Sequence, residues 1–551
     1  MKQCESVRDA VQQAIAKLGK KVFVLSPIAI GAGNEYLNEL GECARRGEVD
    51  LTVFSGLTLE KPMLPGGVRA KVLNPIFERI YKDYTTFRFI DECREASSQG
   101  KPLPDYLTFT SLYHFPGYLL RIPQQQHVFT AVNFRDTNER FRQKSCNCIV
   151  MKVSCRDGKY NCGTNSDVMI HAMRDVKKNN GVVMLLDNKN VPYVYGSADI
   201  PDELIDFVVK SDEPLYVMPH QALTVVEHAI GNYVSEIIPD GATLQIGIGQ
   251  MADAIGFWMA KKGRTGINGW SELLSPSFLY MIKKGVINRK DEHNVLLTGA
   301  FIVGNEELYK FASENPDVRM TSVHETNNKE FIQRIPNFHA VNSTLQADLF
   351  SQAASEGFFK KDQYVQYTGI GGQFEFQESA MKSEGGKSIL CLRAVNRTES
   401  GKPVASSIVP FLKNVISVPR NKMDCVVTEY GWRQVRFGTI HERASAMIEL
   451  ADSAYQKDLL KAARKMNLVD ASYAIPKECR NNTWASLVAK FGAIAKEVPY
   501  PLGLGIDLAK YSTDGEKAML AAVREGAGLL KKIKLLRNLN RERKEMAKNI
   551  N

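Results

Sequence analysis

The chain has 551 residues, of which 44% are hydrophobic, so it is too long for one small core and apolar enough for two ordinary domains. It contains no run of eighteen uncharged apolar residues, and its first residues mix acids with bases, so we expect a cytoplasmic protein without a membrane span. The formal charge is +10, and the segment from residue 531 onward contains eight basic and two acidic residues. The mildly basic remainder suits a phosphate-bearing coenzyme and lacks the aromatic and basic interleaving of nucleic-acid binding.

The first recognisable unit, from Lys20 to Leu57, reads as strand, glycine loop, helix and strand, a βαβ pattern. Asn34 is predicted to cap the helix. The loop between Ile30 and Gly33 lacks the third glycine of the dinucleotide fingerprint. It is therefore interpreted either as a tight turn or, alternatively, as a close approach to a nucleotide.

Four of the ten cysteines lie near one another in the sequence, at Cys146, Cys148, Cys155 and Cys162. Their spacing lacks the paired C-x2-C knuckles of a zinc site, and the intervening residues read as strand, turn and strand. We predict buried or strand-borne thiols, with a metal site as the alternative.

Strands and helices continue to alternate, which predicts an α/β fold with parallel or mixed open sheets. The pattern loosens near residue 220, a helix is predicted from His220 to Ile238, and a second α/β run follows. We therefore predict two similar open α/β domains, 1–220 and 221–455, and a helical, basic C-terminal extension, 456–551. The terminal segment with Leu529, Ile533 and Leu536 on one face is interpreted as a subunit contact or a solvated helix.

Three segments of the second run hold residues that could carry chemistry. Gly247 and Gly249 separate a strand from a helix, where free N–H groups and the helix dipole attract an anion, although a tight turn would explain them equally. Glu272 lies in a turn of small residues before another helix. It could cap that helix or, if buried, act as a nucleophile.

The third segment is the glycine loop from Gly369 to Gly372, followed by Gln373. Three glycines at the end of a strand suggest backbone amides that approach an oxyanion, with a plain bulge as the alternative. Glu429, after another apolar strand, competes with Glu272 for the role of nucleophile. No histidine pair has metal-ligand spacing, and neither a G-x-S-x-G elbow nor a Walker loop occurs, which leaves a carboxylate nucleophile supported by the glycine loop.

Five motifs, in order and at compatible spacing over residues 190–452, resemble the C-terminal half of the acetyl-CoA hydrolase/transferase superfamily. They are LQIGIGQMADAI, WSELLSPSFLYMIKKGVI, the stretch around NSTLQADL, TGIGGQFEF, and the long run that contains VVTEYGW. The similarity is greatest to 4-hydroxybutyrate CoA-transferase-like members, and residues 20–57 match the family's first βαβ unit more loosely.

This resemblance assigns a role to each candidate residue. Glu272 corresponds to the nucleophile, and Gly372 to the N–H donor for the thioester oxyanion, with Gly371 and Gln373 beside it. Asn327 corresponds to an asparagine that holds the thioester, while Glu429 belongs to a structural signature. Gly247 and Gly249 are then expected to contact coenzyme A.

The implied activity is that of an acyl-CoA:carboxylate CoA-transferase of class I. Such an enzyme takes a short-chain acyl-CoA and acetate or a similar acid, and reacts by ping-pong chemistry through a glutamyl-CoA thioester. We expect no metal and no permanently bound cofactor, coenzyme A being part of the substrate, and a homo-oligomer. The alternatives are an acyl-CoA hydrolase that uses the same site and a catalytically silent CoA-binding paralogue.

Several positions depart from the family pattern. Trp270 precedes the Ser-Glu pair, Pro276 and Ser277 follow it, and His324 and Glu325 stand where relatives carry other residues. These changes predict a crowded acyl end. Residues 75–125 and the tail after residue 455 have no recognised counterpart.

Overall fold

The computed structural model of the protein describes residues 1–62, 67–219, 221–398, 401–499, 511–524, 535–536 and 538–541. The strands of the first half are β1 (Lys2–Gln3), β2 (Lys21–Ile28), β3 (Asp50–Leu57), β4 (Leu107–Ser111), β5 (Cys148–Arg156), β6 (Lys159–Asn161), β7 (Val182–Asn188), β8 (Tyr195–Gly196) and β9 (Phe207–Ser211). Its helices are α1 (Val7–Leu18), α2 (Asn34–Arg45), α3 (Gly67–Ile80), α4 (Arg88–Ser98), α5 (Tyr118–Arg121), α6 (Thr137–Gln143) and α7 (Met169–Lys178).

The second half follows the same alternation. Its strands are β10 (Thr243–Ile246), β11 (Asn268–Trp270), β12 (Leu273–Leu274), β13 (Leu297–Gly299), β14 (Phe301–Ile302), β15 (Val318–Met320), β16 (Phe338–Ser343), β17 (Gln346–Asp348), β18 (Ala353–Ala354), β19 (Gly357–Lys360), β20 (Gln363–Gln366), β21 (Lys387–Cys391), β22 (Val395–Arg397), β23 (Pro403–Ser406), β24 (Ile408–Val409), β25 (Cys425–Thr428) and β26 (Gly431–Gln434). Its helices are α8 (Val225–Ile237), α9 (Gln250–Lys261), α10 (Pro276–Lys283), α11 (Glu306–Ala312), α12 (Val323–Thr326), α13 (Lys329–Ile332), α14 (Gln373–Lys382) and α15 (Ile440–Leu450). The tail contributes α16 (Ser453–Lys465), α17 (Trp484–Glu497) and α18 (Asp514–Arg524).

Two large sheets organise the described residues. The first has the order β1-β9-β7-β5-β2-β3-β4, with β6 added antiparallel to β5, and the second has the order β26-β25-β21-β16-β10-β11-β13-β15-β8. All neighbours in the second sheet are parallel except β25 and β26. Every residue of β7 is buried, as expected for a parallel strand covered on both faces. The predicted α/β fold with parallel or mixed sheets is confirmed, and the sheets are mixed and largely parallel.

The two sheets divide the chain close to the predicted position, with one exchange. Strand β8 precedes residue 220 in the sequence, yet it pairs with β15 at the edge of the second sheet. The helix predicted from His220 begins instead at Val225, where Thr224 and Glu227 form a reciprocal capping box. Residue 220 lies outside the described residues, and the domain bounds stay a prediction.

The βαβ unit at the N-terminus forms as predicted, with β2 and β3 parallel on either side of α2. Asn34 does not cap α2, because it is the first helical residue and its side chain donates to the carbonyl of Thr85 at 2.9 Å. The N–H of Gly31 donates to Oδ1 of Asn165 at 2.9 Å, and an added Cβ there would overlap Asn165. The loop is therefore packed against the protein itself, which favours the tight-turn interpretation.

The four clustered cysteines lie on and beside β5. Cys146, Cys148 and Cys162 are buried, and burial raises the pKa of the Cys146 thiol to about 12. Strands β5 and β6 are joined by a turn in which Asp157 and Gly158 have positive φ angles of 49° and 76°. Within the described ranges, no group of three or more histidine, cysteine or acidic side chains could hold a metal ion.

Part of the C-terminal extension packs on α3. Met519 and Leu539 are fully buried there, in a cluster with Val72, Leu73 and Ile76. The guanidinium of Arg79 pairs with Glu516, and its Nε also donates to the carbonyl of Tyr511 at 2.8 Å. The predicted terminal positions Leu529 and Ile533 lie outside the described residues, whereas Leu536 is partly buried against this cluster. None of the helices described is both long enough and apolar enough to cross a membrane.

Candidate active site

A cleft of about 390 Å³ lies between the two halves of the molecule. Ile28 and Leu57 reach it from the carboxyl ends of β2 and β3, and Ile246 reaches it from the carboxyl end of β10. Ligands of open α/β sheets bind at the carboxyl ends of parallel strands. The position of the cleft therefore marks it as the place where a substrate would bind.

Glu272 lines this cleft from the turn between β11 and β12. Its carbonyl accepts from the N–H groups of Ala300 and Phe301 at 2.9 and 3.1 Å, and the N–H of Ser271 donates to the carbonyl of Thr298 at 3.0 Å. These bonds fix the turn between neighbouring strands. Ser275, not Glu272, stands at the cap position of α10, so the helix-cap alternative is wrong.

The Glu272 side chain has one hydrogen-bond donor and two acidic neighbours. Nδ2 of Asn327 donates to its Oε2 at 2.5 Å, and Oδ1 of Asn327 accepts from the hydroxyl of Thr326 at 2.8 Å. Burial raises the pKa of Glu272 to about 8, with Glu375 and Asp167 adding to the rise and the Asn327 bond opposing it. A carboxylate formed here is poorly solvated, and a poorly solvated carboxylate is reactive toward a carbonyl carbon.

The glycine loop meets this carboxylate directly. A Cβ added to Gly372 would overlap Oε2 of Glu272 and Nδ2 of Asn327, and one added to Gly371 would lie 4.0 Å from Oε1 of Glu272. Gly371 also has a φ of +63°, which disfavours a side chain. The loop therefore brings backbone, rather than side chain, against the acid, which is the arrangement that an oxyanion donor requires.

Gln373 is the first residue of α14, and its side chain lines the cleft, where Nε2 donates to the carbonyl of Ser343 at 3.4 Å. Gly371, Gly372 and Gln373 thus line the cleft together with Glu272, and the buried Asn327 contacts Glu272 from behind the wall. The structure brings together these five residues, although Glu272 and Gln373 are 101 positions apart in the sequence.

Gly247 lines another part of the same cleft, at the N-terminus of α9. Neither Gly247 nor Gly249 has any heavy atom within 4 Å of an added Cβ, so the backbone here faces open space. Gly249 has a φ of +93° immediately before α9. This strand-to-helix turn leaves room for a ligand near the free N–H groups of the helix.

Glu429, the competing acid, lies elsewhere. It is fully buried, does not line the cleft, and accepts from the N–H of Ala394 at 2.7 Å through Oε2. Burial raises its pKa to about 7, with that bond opposing the rise. Its position agrees with the structural role that the family resemblance implied.

The prediction that the departures from the family pattern crowd the acyl end is wrong. Trp270 points away from the cleft into a buried cluster, where it stacks on Phe331 and its Nε1 donates to the carbonyl of Thr326 at 3.0 Å. None of Pro276, Ser277, His324 and Glu325 lines the cleft either. Trp270 therefore buttresses the segment that holds Asn327.

Three aromatic residues beside Glu272 were missed by sequence reasoning. Tyr113 lies 3.6 Å from a Cβ placed on Gly371, and the rings of Phe134 and Phe301 meet edge to face at 5.7 Å. Tyr113 lies in the stretch 75–125, which has no recognised counterpart. No local pattern marks these residues, because the site forms only when the two halves of the chain come together.

Comparison with known proteins gives concordant matches. The family model described as acetyl-CoA hydrolase/transferase C-terminal domain matches residues 304–463. The 4-hydroxybutyrate coenzyme A transferase of Clostridium kluyveri is 33% identical over 345 residues, which cover 61% of this chain and 77% of that protein.

Two solved structures share the fold. The 4-hydroxybutyrate CoA-transferase of Porphyromonas gingivalis has a TM-score of 0.61 and 25% identity, and the match covers 84% of this chain and 97% of that one. RipA from Yersinia pestis has a TM-score of 0.69 and 22% identity, over 85% and 98% of the respective chains. Both matches cover more than four fifths of this chain.

Proposed function

Since this chain belongs to the acetyl-CoA hydrolase/transferase family, we infer that it is an acyl-CoA:carboxylate CoA-transferase whose nucleophile is Glu272. The observation that carries this proposal is the contact among three groups at the cleft wall. They are the Glu272 carboxylate, the Asn327 amide that donates to it at 2.5 Å, and the backbone of Gly372.

The chemistry follows from a carboxylate beside an acyl-CoA. The Glu272 carboxylate attacks the thioester carbonyl and expels the CoA thiolate, which leaves a mixed anhydride on the side chain. The thiolate then attacks the glutamyl carbonyl carbon, releases the first carboxylic acid as its anion, and forms a glutamyl-CoA thioester. An incoming carboxylate reverses these steps, so the kinetics are ping-pong and the thioester energy is retained without a metal or ATP.

Each neighbouring residue has a role in this scheme. The N–H of Gly372 would donate to the oxyanion of the attacked carbonyl, with Gly371 and Gln373 holding the loop in place. Asn327 orients the carboxylate and favours its ionised form, because its N–H bond lowers the pKa of Glu272. Gly247 and Gly249 would admit the coenzyme to the N-terminus of α9.

The choice between transferase and hydrolase depends on whether water or an acid discharges the glutamyl-CoA thioester. Comparing CoA release with and without a short-chain acid separates these two activities. A catalytically silent CoA-binding paralogue is disfavoured, because a protein that only binds CoA needs neither the Glu272 nucleophile nor the glycine loop against it. The oligomeric state stays a prediction.

The decisive experiment is to trap the adduct. Incubation with acetyl-CoA and no acceptor acid is expected to join CoA as a thioester to the peptide that contains Glu272, seen by mass spectrometry. Glu272→Gln should still bind CoA but carry no adduct, because an amide is not a carboxylate nucleophile. A label on Glu429, or steady CoA release with no labelled residue, would show that the proposed mechanism is wrong.

A further inference from the structure

The wall of the cleft around Glu272 carries no positive charge. Among the described residues that line the cleft there is no lysine, arginine or histidine, and Glu272 is the single acid. The remaining side chains are largely apolar near the acid. They include Ile28, Leu112, Tyr113, Phe134, Phe301 and Met218.

Three aromatic rings lie next to the reacting group. The N–H of Phe301 donates to the carbonyl of Glu272 at 3.1 Å, and the N–H of Phe134 reaches the carbonyl of Gly371 at 3.5 Å. The two rings contact each other, and the Tyr113 ring lies 3.6 Å from a Cβ placed on Gly371. All three residues line the same cleft as Glu272, so their rings would offer apolar contact to an acyl group held there for attack.

The charged groups outside the wall do not supply the missing cation. The acids Glu375 and Asp167 lie near Glu272 and add to the rise of its pKa, so these neighbours supply no positive charge. Lys329 and Arg135 lower the pKa of Glu375, but neither lines the cleft, and Lys329 is paired with Glu378 at 2.8 Å. A second carboxylate on the substrate would therefore find no cationic side chain to pair with among the described residues of the wall.

We propose that Tyr113, Phe134 and Phe301 form an apolar acyl pocket that selects monocarboxylates with an uncharged chain and rejects dicarboxylates. This inference rests on the proposed CoA-transferase function and names its substrate class. An unpaired carboxylate is strongly disfavoured in an apolar site. Each methylene that the pocket covers favours binding by about fourfold.

The test measures how different acids discharge the glutamyl-CoA adduct of the full-length protein. Acetate, propionate, butyrate and succinate are compared by kcat/KM. We expect a rise of about fourfold per methylene from acetate to butyrate, and a value for succinate more than about thirtyfold below that for butyrate. A smaller difference between succinate and butyrate, or no rise with chain length, would overturn the proposal.

A cation placed in the wall provides a second, independent readout. The N–H of Met218 donates to the carbonyl of Gly304 at 2.7 Å, which sets this partly exposed side chain beside Val303 in the wall. Met218→Lys should raise the succinate-to-butyrate ratio by about tenfold, and the matched control Met218→Leu should not. An unchanged ratio in a Met218→Lys protein that still forms the adduct would contradict the proposal.

These outcomes can be told apart from failure of the proposed function itself. If no adduct forms on Glu272, or no acid discharges it, the CoA-transferase assignment fails and the substrate class fails with it. If succinate and butyrate discharge the adduct equally well, the transferase assignment stands and the apolar selection alone is wrong.

Discussion

Glu272 and Glu429 invite comparison, since each follows a strand of the second sheet and each accepts one N–H hydrogen bond. The donor is the Asn327 side chain for Glu272, at 2.5 Å, and the Ala394 backbone for Glu429, at 2.7 Å. Burial raises the pKa of the first to about 8 and of the second to about 7. By electrostatics alone the two acids are nearly equivalent.

They differ in what can reach them. Glu272 lines a cleft of about 390 Å³ and faces the glycine loop, whereas Glu429 is fully enclosed. A raised pKa is therefore weak evidence for catalysis when a buried structural acid shows the same shift. Access for a substrate and a backbone donor at the reacting atom distinguish the proposed nucleophile.

The strongest test of the difference between Glu272 and Glu429 is to convert each acid to its amide. Glu272→Gln should lower turnover by at least about 10⁴-fold, because the nucleophile is lost. Glu429→Gln should leave turnover within about threefold and the adduct on Glu272 intact. Steady-state kinetics and mass spectrometry check both variants. Equal losses in the two proteins would contradict the distinction.

The second prediction concerns the approach of the glycine loop. Gly372→Ala should lower turnover by about 10²–10³-fold, because the methyl group would displace Glu272, Asn327 or the loop itself. The matched control is Gly41→Ala in α2, where the nearest side-chain atom to an added Cβ is 3.5 Å away. Wild-type turnover in Gly372→Ala would remove the loop from the mechanism.

The third prediction uses pH. Attack requires the ionised acid, so kcat/KM for acyl-CoA should rise about tenfold per pH unit below pH 8 and level off above it. Asn327→Ala should move the midpoint up by about one unit, because its bond favours the carboxylate. Glu375→Gln removes a repelling acid and should move the midpoint down. Shifts of the same sign in both variants would refute this account.

The smallest expected effect is on stability. A carboxyl whose folded pKa is raised lets the folded state hold its proton longer than the unfolded chain does, so stability falls as pH rises from about 4.5 to about 8. Glu272→Gln removes this loss. The melting temperature of the variant minus that of wild type should therefore be about 1–3 °C larger at pH 8 than at pH 5. Thermal denaturation of both proteins at the two pH values checks this. If the melting temperature of the variant falls more than that of wild type between pH 5 and pH 8, the prediction is wrong.

The parts of the molecule that the sequence predicts well are those with local patterns. Alternating apolar runs located the βαβ unit around α2, and glycine spacing located the loops at Gly247 and Gly372. The small-residue turn at Glu272 was ambiguous on its own, since a helix cap explains it equally well. The family resemblance, rather than spacing, favoured the nucleophile.

The parts that escaped depend on contacts between distant segments. Phe134 and Phe301 approach only after the two halves assemble, so no periodicity marks them. Trp270 was expected at the acyl end because it precedes the Ser271-Glu272 pair in sequence. Strand β11 ends at Trp270, whose side chain packs in a buried cluster, and Glu272 lies in the turn that follows. The pairing of strand β8 with the second sheet was also missed, because its partner β15 comes much later in the chain.

The packing of the tail on α3 has a consequence for how the chain can be shortened. Arg79 and Glu516 are 437 positions apart, yet they form an ion pair in which Glu516 is fully buried. A truncation before α18 would expose Val72 and Ile76 to water. The resulting exposed apolar patch would promote aggregation of an otherwise intact molecule. Helices α3 and α18 therefore form one structural unit, and a shortened or chimeric protein should keep both or lack both.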